Sequence, residues 1–197
     1  MNLTETTPLT SADFPIAELK DYLRLGSGFA DDNVQDVLLE TCLRAAMGAI
    51  EARTTKVLIE RSFDYSFYSY REENGGMLMP VSPLVYLNQF LIYDKTGGST
   101  SYSKNDFQLL TDSQRPRLIA KNGNLPEIPE LGWCLLRFLA GYGPWASVPV
   151  NLQQAMLMLA ASYYENRDVM VNGRAQMPLT VAALLEPFQR IRLRSGA

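Results

Sequence analysis

Residues 138–167 decide the fold of this chain, and they read FLAGYGPWASVPVNLQQAMLMLAASYYENR. The stretch predicts the end of a strand, then a sharp turn, then a helix. Gly141, Gly143 and Pro144 end the strand, because glycine tolerates positive φ and proline lacks the N–H donor of a ladder. Pro149 suits the first turn of a helix, where its missing N–H leaves no bond unmade.

The helix that follows is apolar on almost every side. Its apolar residues are Leu152, Ala155, Met156, Leu157, Met158, Leu159, Ala160, Ala161 and Tyr163. A helix with this pattern is buried on most sides, and its methionines are typical of core packing rather than of a soft metal site. The apolar run is shorter than the ~20 residues of a membrane span. We therefore predict a central core helix of roughly 18 residues and no membrane partner.

The composition indicates a globular protein and gives no sign of a general nucleic-acid binder. The chain has 197 residues, 47% hydrophobic and 20% charged, with a net charge of −3, which fits one domain or one domain with an inserted lobe. Eight acids lie in residues 1–40, and three arginines but no acid lie in residues 187–197. These opposed charges suit head-to-tail contact between identical chains or, equally, two solvated surfaces.

Two helices are predicted before the middle of the chain. Asp13 and Pro15 begin the first, and Asp31 and Asp32 cap the second, which runs to about Arg53. The second helix has many small residues, which let another helix approach closely. We predict that it packs on the central helix through Val34, Leu38, Ala45, Ala46 and Ala49, against Met156, Leu159, Ala160 and Tyr163.

The middle third of the chain changes to a period of two, which is typical of strands. Phe63, Tyr65 and Phe67 alternate with polar neighbours, and glycine-containing turns follow at residues 74–76, 97–98 and 122–123. The predicted strands are residues 63–70, 77–80, 84–93, 107–110, 117–120 and 133–140. After the central helix, Thr180 is predicted to cap a short helix over residues 181–186, and Phe188 begins an extended tail.

These elements predict an α+β fold: a small helical bundle around a buried central helix, with an inserted antiparallel β-sheet lobe. The predicted parts are an N-terminal arm and helical hairpin (1–55), the β lobe (56–145), the central core helix and its loop (146–178), and a C-terminal attachment segment (179–197). The arm over residues 1–13 is expected to order on contact with another chain.

The sequence offers little catalytic chemistry. It has no histidine and only Cys42 and Cys134, so it cannot form His-based triads or common zinc sites. Asp31 and Asp32 with Asp36 could form a cation or acid–base site, but helix capping explains these aspartates better. A hydrolase that uses only carboxylates, such as Asp31, Asp32 or Glu165, is a further alternative. Core packing likewise explains the aromatic residues better than base or sugar stacking does, since stacking surfaces carry many cations. They are Tyr65, Phe67, Tyr68 and Tyr70. We predict no enzyme, no cofactor and no metal.

Four stretches together resemble the head–tail connector (adaptor) proteins of long-tailed phages, prophages and gene-transfer agents. They are LKDYLRL (19–25) with FADD (29–32), AA (45–46) with IEART (50–54), AGYG (140–143) with VP (148–149), LQQA (152–155) and YENR (164–167), and LLEPFQR (184–190). They occur in the family's order over nearly the whole chain. One departure is Thr55, where the family usually has a glycine that ends the second helix.

The resemblance implies a non-enzymatic ring of identical chains, usually a dodecamer, in the neck of a virion or phage-like particle that is assembled in the bacterial cytoplasm. It implies contact with the portal protein above and a tail-side stopper or terminator protein below, around a channel through which DNA passes without specific binding. A head-stopper or tail-completion protein of the same particle remains an alternative. From another class, so does a peptide- or ligand-binding module that uses the aromatic sheet.

The C-terminal segment is the predicted attachment to the portal or to the neighbouring subunit. Proline cannot continue a helix without losing a hydrogen bond, and apolar side chains at a chain end stay disordered unless another surface holds them. In an extended segment the alternate arginines would lie on one edge, from which they could pair with carboxylates. The predicted interface residues are Leu184, Leu185, Pro187, Phe188, Arg190, Ile191, Arg192, Leu193 and Arg194. A segment that folds back onto its own sheet is the other interpretation.

Overall fold

The computed structural model describes residues 1–25, 33–73, 75–165 and 177–189, and within these ranges the fold is α+β, as predicted. The chain divides into two compact units. The first, here called the sheet unit, contains Met1–Leu9 and Glu60–Gly141. The second, the helical unit, contains Thr10–Ile59 and the chain from Tyr142 onwards. Residues 1–9 thus group with the β lobe, and not with the helical hairpin as the sequence had suggested.

The strands of the sheet unit pair only antiparallel within the described residues. In chain order they are β1 (Asn2–Glu5), β2 (Arg61–Phe67), β3 (Glu72–Glu73), β4 (Gly76–Leu78), β5 (Leu84–Tyr93), β6 (Ser99–Tyr102), β7 (Phe107–Leu110), β8 (Arg117–Ala120) and β9 (Trp133–Ala140). They form a five-stranded sheet in the order β1-β2-β9-β5-β6 and a four-stranded sheet in the order β3-β4-β8-β7. The rings of Phe90 and Phe107 connect the two sheets, with 4.5 Å between their centroids.

The prediction of a free N-terminal arm is wrong, because β1 is an edge strand of the protein's own sheet. Leu3 lies opposite Tyr65, and Glu5 lies opposite Phe63. The Glu5 carboxylate accepts a hydrogen bond from the buried Arg61 side chain at 2.8 Å. A buried guanidinium needs such a partner, since an unpaired buried charge is costly. The N-terminal strand is therefore fixed by its pairing with β2 and by the Glu5–Arg61 ion pair. Both partners lie 56 or more residues further along the chain, so the local sequence does not predict them.

The central strand β9 looks almost continuously apolar in sequence but alternates in structure. Cys134, Leu136, Phe138 and Ala140 are all fully buried on one face. On the other face Arg137 pairs with Asp64, directly across on β2, through two hydrogen bonds of 2.7 Å. The buried face makes the core of the sheet unit, where the ring of Phe138 stacks on that of Phe63.

Four α-helices lie in the described part of the helical unit. They are α1 (Ile16–Tyr22), α2 (Asn33–Thr54), α3 (Val150–Glu165) and α4 (Leu179–Leu185). The predicted central helix is α3: Leu152, Ala155, Met156 and Ala160 on it have no exposed surface, and it contacts the three other helices. The aspartates predicted to cap α2, Asp31 and Asp32, lie outside the described residues.

The chain enters α3 through the turn that the glycines of residues 141–143 predicted. Gly141 has φ 134° and Gly143 has φ 117°, a region that residues with a Cβ rarely adopt. Pro149 comes immediately before the helix, and its carbonyl accepts from the N–H groups of Leu152 and Gln153. The Gln153 side chain also donates to the carbonyl of Trp145, at 2.8 Å, so this turn and the first helical turn fix one another.

The exit from α2 uses a left-handed residue even without the family's glycine. Thr55 has φ 58°, and its N–H donates to the carbonyl of Glu51 at 2.7 Å. This is the bond that a glycine after a helix usually makes. Thr55 therefore adopts the conformation of the missing glycine, at the steric cost of its β-branched side chain.

Candidate assembly surfaces

The predicted contact between the second helix and the central helix exists, but the face of the second helix differs from the prediction. α2 packs against α3, and on α3 Met156, Leu159 and Ala160 are buried as predicted. On α2 the buried apolar residues are Leu39, Cys42, Leu43, Ala46, Met47 and Ile50. Ala46 is therefore in the core, and Ala49 is half-buried.

Three residues predicted for that contact are exposed. Leu38 keeps 37% of its surface exposed and Tyr163 keeps 36%, and Ala45 is exposed as well. Nothing is described for the side chain of Val34. The sequence assigned the wrong side of α2 because apolar residues occur around the whole helix, so periodicity alone did not identify the side that faces α3.

The C-terminal interface prediction divides into three parts. Leu185 has no exposed surface and lies on α4, which packs on α3, so its assignment to an outer surface is wrong. Leu184 and Phe188 are half-buried, and Pro187 is exposed. The remaining predicted residues lie outside the described ones: Arg190, Ile191, Arg192, Leu193 and Arg194.

Two local details of this segment also differ from the prediction. Pro178, not Thr180, precedes the first residue of α4, and Thr180 lies within the helix without capping it. Phe188 does not begin an extended segment, since Glu186–Phe188 form a turn of 3₁₀ helix after α4. Gln189 is the first extended residue, with ψ 144°. Any extended tail therefore begins one residue later than the sequence suggested.

The acidic N-terminal region is partly neutralised inside the protein. Besides the Glu5–Arg61 pair, the Asp36 carboxylate lies 2.5 Å from the Lys20 amine. The Glu18 carboxylate accepts from the indole N–H of Trp145 at 2.9 Å. The backbone N–H of Thr10 donates to the Asp13 carboxylate, which lowers the pKa of Asp13. These acids stabilise local structure, so they cannot all be free for another chain.

The aromatic residues of the sheet are mostly packed inside it. Tyr65 and Phe67 are buried, with ring centroids 5.0 Å apart. The Tyr70 hydroxyl donates to the carbonyl of Pro126, and burial raises the pKa of this hydroxyl. Tyr68 alone of the four predicted aromatics is largely exposed, at 72%; it lines an open groove of about 490 Å³. Tyr70 lines the same groove but is half-buried, so Tyr68 presents the one largely exposed ring of these four.

The two cysteines of the chain do not form a reactive site. Cys42 and Cys134 are buried thiols, and burial raises the pKa of Cys134 to about 12, which disfavours the reactive thiolate. Across the described ranges no three His, Cys, Asp or Glu side chains come together as metal ligands would. In the same ranges no helix combines the length and apolar character needed to cross a membrane.

The chain is closely similar in structure to chains of gene transfer agent (GTA) particles. A chain in the neck of an empty GTA particle, computed with C6 symmetry, superposes with a TM-score of 0.88 at 38% identity. A chain in the virion of a native GTA particle has a TM-score of 0.85 at 39% identity. A chain in the neck of a native GTA particle, computed with C12 symmetry, has 0.82 at 34%. Each match covers 100% of this chain and 99% of the other.

The α+β fold and the three structural matches together identify this chain as a structural component of a virion. No protein-family model matches the chain, and no curated protein matches it significantly. The identity over the full length is nevertheless high enough to assign the family. The chain belongs to the family of structural neck proteins of gene transfer agent particles.

Proposed function

We propose that this protein is the head–tail connector, or adaptor, of a gene-transfer-agent-like particle. It forms a ring beneath the portal, joins the capsid to the tail and lines the channel for DNA, without enzymatic activity. The observation that carries the proposal is the full-length similarity to chains in GTA necks. A tail-side stopper or terminator protein would bind the opposite side of the ring, and assembly would take place in the cytoplasm of the bacterial host.

The symmetries of the related necks favour a dodecamer. The similar chains occur in neck structures computed with C6 and with C12 symmetry. A ring of twelve copies satisfies both symmetries, whereas a ring of six copies satisfies only the first. Twelve identical chains also need only one kind of contact, repeated around the axis, to close a ring.

The C-terminal tail is the part that we propose binds the portal. The described chain ends with an exposed Pro187, a half-buried Phe188 and an extended Gln189. The eight residues that follow, 190–197, contain three arginines and no acid. The arginines of this segment could pair with carboxylates of another protein. Such pairs are strongest when they are bidentate and shielded from water.

A truncation tests the attachment. A chain that ends after Gln189 keeps every described helix and strand, so its circular dichroism and melting temperature should match those of the full chain. It should fail to co-sediment with portal protein. The matched control replaces the three arginines with lysines, which keeps the charge but loses bidentate pairing, and should bind weakly. Normal binding by the truncated chain would place the attachment elsewhere.

The channel role predicts weak contact with DNA. The net charge is −3, and a protein that grips duplex DNA needs several cations to neutralise phosphates. The isolated chain should therefore show no submicromolar binding to duplex DNA at physiological salt. Fluorescence anisotropy with a labelled duplex measures this, and tight binding that weakens steeply with salt would contradict the proposed channel.

A further inference from the structure

Strand β5 has a neighbouring strand on both sides along only half of its length. On one side β9 pairs with it from Leu84 to Tyr93, whereas on the other side β6 pairs with it only from Phe90 to Tyr93. After Tyr102 the chain leaves the five-stranded sheet through a 3₁₀ turn (Lys104–Asp106) and continues as β7 in the other sheet. In the part of the chain that the structure describes, no strand therefore pairs with residues 84–89 on the β6 side.

An open groove of about 680 Å³ lies against this part of β5. It is lined by residues 85–87 of β5 and by residues 107–109 of β7. β7 is itself the outer strand of its sheet, because among the described strands only β8 pairs with it. The groove is thus bordered by two strand edges. Edge strands present backbone N–H and C=O groups to which an extended segment of another chain can hydrogen-bond.

The groove also offers apolar surface to a partner. Val85 keeps 43% of its surface exposed and Tyr86 keeps 48%, although they are consecutive residues of one strand. The register between β5 and β9 shifts at this point, and a bulge of this kind turns side chains out of the regular alternation. The buried residues Leu87, Phe107 and Leu118 line the same groove. The exposed pair therefore belongs to one continuous cavity with an apolar base.

The charged side chains that line the groove are both cations. They are Lys104, in the turn before β7, and Lys121, directly after β8. Both are exposed, and neither forms an ion pair with a described residue. Asp106, the acid of the same turn, contacts Lys121 through a backbone hydrogen bond of 2.9 Å and does not line the groove. Two unpaired ammonium groups beside apolar surface favour a partner that carries carboxylates.

An acidic peptide fits this groove better than DNA or the chain's own tail does. A protein that binds duplex DNA neutralises several phosphates at once, and this groove has two lysines next to apolar surface. The tail of another copy, residues 190–197, contains three arginines and no acid, so it would meet charge of its own sign. A peptide in the extended conformation can use the strand edges, the apolar surface and the lysines together.

We propose that the groove between β5 and β7 binds an extended segment of a partner protein that carries acidic and apolar side chains. The segment adds as a strand beside residues 84–89 of β5, on the side where β6 ends. Its carboxylates pair with Lys104 and Lys121, and an apolar side chain packs on Val85 and Tyr86. The groove would bind such a segment whether or not the chain forms a ring, so it is an attachment point separate from the C-terminal tail.

Two short fluorescent peptides test the charge requirement on the isolated full chain. Valine alternates with glutamate in the first peptide and with lysine in the second. Fluorescence anisotropy should show about tenfold tighter binding of the glutamate peptide, because like charges that face each other in a contact cost free energy. Equal binding of the two peptides, or binding of neither, would overturn the proposal.

Charge reversal locates the contact within the protein. Lys104→Glu and Lys121→Glu should each weaken binding of the glutamate peptide by about tenfold. The matched control is Lys95→Glu, at an exposed lysine in the turn between β5 and β6 that does not line this groove. All three side chains are exposed, so the melting temperatures should match that of the wild type. An equally large loss with Lys95→Glu would indicate a general charge effect and refute the site.

Hydrogen exchange followed by mass spectrometry tests the addition of a strand. The bound glutamate peptide should slow amide exchange in residues 84–89, because N–H groups on the strand edge gain hydrogen-bond partners. Residues 133–140 are the internal control, since β9 already has a strand on both sides. Protection of other residues without protection of 84–89 would show that the peptide binds in a different way.

Cross-linking in purified particles identifies the natural partner. Gln108, an exposed residue that lines the groove, is replaced by benzoylphenylalanine, and mass spectrometry gives the sequence of the peptide that it captures on illumination. We expect a segment of a different protein with acidic and apolar residues. A link to DNA or to another copy of this chain, or no link in particles that contain the protein, would overturn the proposal and leave the neck function standing. If the wild-type chain is absent from particles, the proposed function fails, and the peptide and exchange measurements still decide whether the groove binds a strand.

Discussion

The sheet unit and the helical unit use apolar residues differently. In the sheet unit burial alternates strictly along β2 and β9, so each of these strands has one buried side. In the helical unit α2 has apolar residues on its buried side and on its exposed side. A strand pattern therefore identifies its own core face, whereas the α2 pattern does not. Val37 and Leu38 keep 68% and 37% of their surfaces exposed, so apolar character alone does not mark the side of α2 that faces α3.

The largest expected effect is in the sheet unit, at Phe138. This side chain is fully buried at the centre of β9 and stacks on Phe63. Phe138→Ala should lower the free energy of unfolding by about 3–5 kcal/mol, because a large cavity remains. Urea denaturation followed by circular dichroism measures the loss. Tyr68→Ala, at a residue that is 72% exposed, is the control and should stay within about 0.5 kcal/mol of wild type.

The neighbouring residues Ala45 and Ala46 give the sharpest test of which side of α2 faces α3. Ala46→Leu should destabilise the protein by about 1–3 kcal/mol through overpacking against α3, since Ala46 has no exposed surface. Ala45→Leu should change stability little, because Ala45 is exposed. The sequence alone placed both alanines in the contact with the central helix. Equal losses in thermal melts would show that the face assigned from the structure is wrong.

The smallest effect of the three concerns the exit from α2. Thr55→Gly should stabilise the protein by about 1 kcal/mol, because glycine accepts the left-handed conformation without the steric cost of a side chain. The change also removes a buried Thr55 hydroxyl oxygen that has no hydrogen-bond partner among the described residues. Thr54→Gly is the control of opposite sign, since the buried Thr54 hydroxyl donates to the carbonyl of Ile50. A less stable Thr55→Gly protein would refute the explanation.

Much of the fold could be predicted from the sequence, because apolar alternation and glycine-containing turns are local features of the chain. The predicted bounds of β5, β7, β8 and β9 agree with the structure to the residue, since alternation and glycine turns specify each strand without its partner. The three missed strands, β1, β3 and β6, are short and mostly polar. These strands form because their backbone groups hydrogen-bond to the edge of a neighbouring strand. Their own residues show no strand pattern from which this pairing could be predicted.

The candidate surfaces were harder to predict than the fold. Leu185 and Leu184 are identical neighbours in sequence, yet only Leu185 is fully buried. On α2, Ala45 and Ala46 differ in the same way. In each pair the orientation of the helix on α3 decides which residue is outside, and that orientation depends on contacts between distant parts of the chain. The shape and charge of a surface therefore become visible only once the helices are packed.

The chain alternates between the two units, and this alternation affects how they can form during synthesis on the ribosome. The chain starts in the sheet unit, passes through the helical unit, returns to the sheet unit and ends in the helical unit. The central strand β9 and the central helix α3 are both made late, after residue 132. Chains that terminate before α3 thus lack the core of the helical unit, and chains that terminate before β9 lack the central strand of the sheet unit as well. Incomplete translation products would be excluded from the particle without any separate quality-control factor.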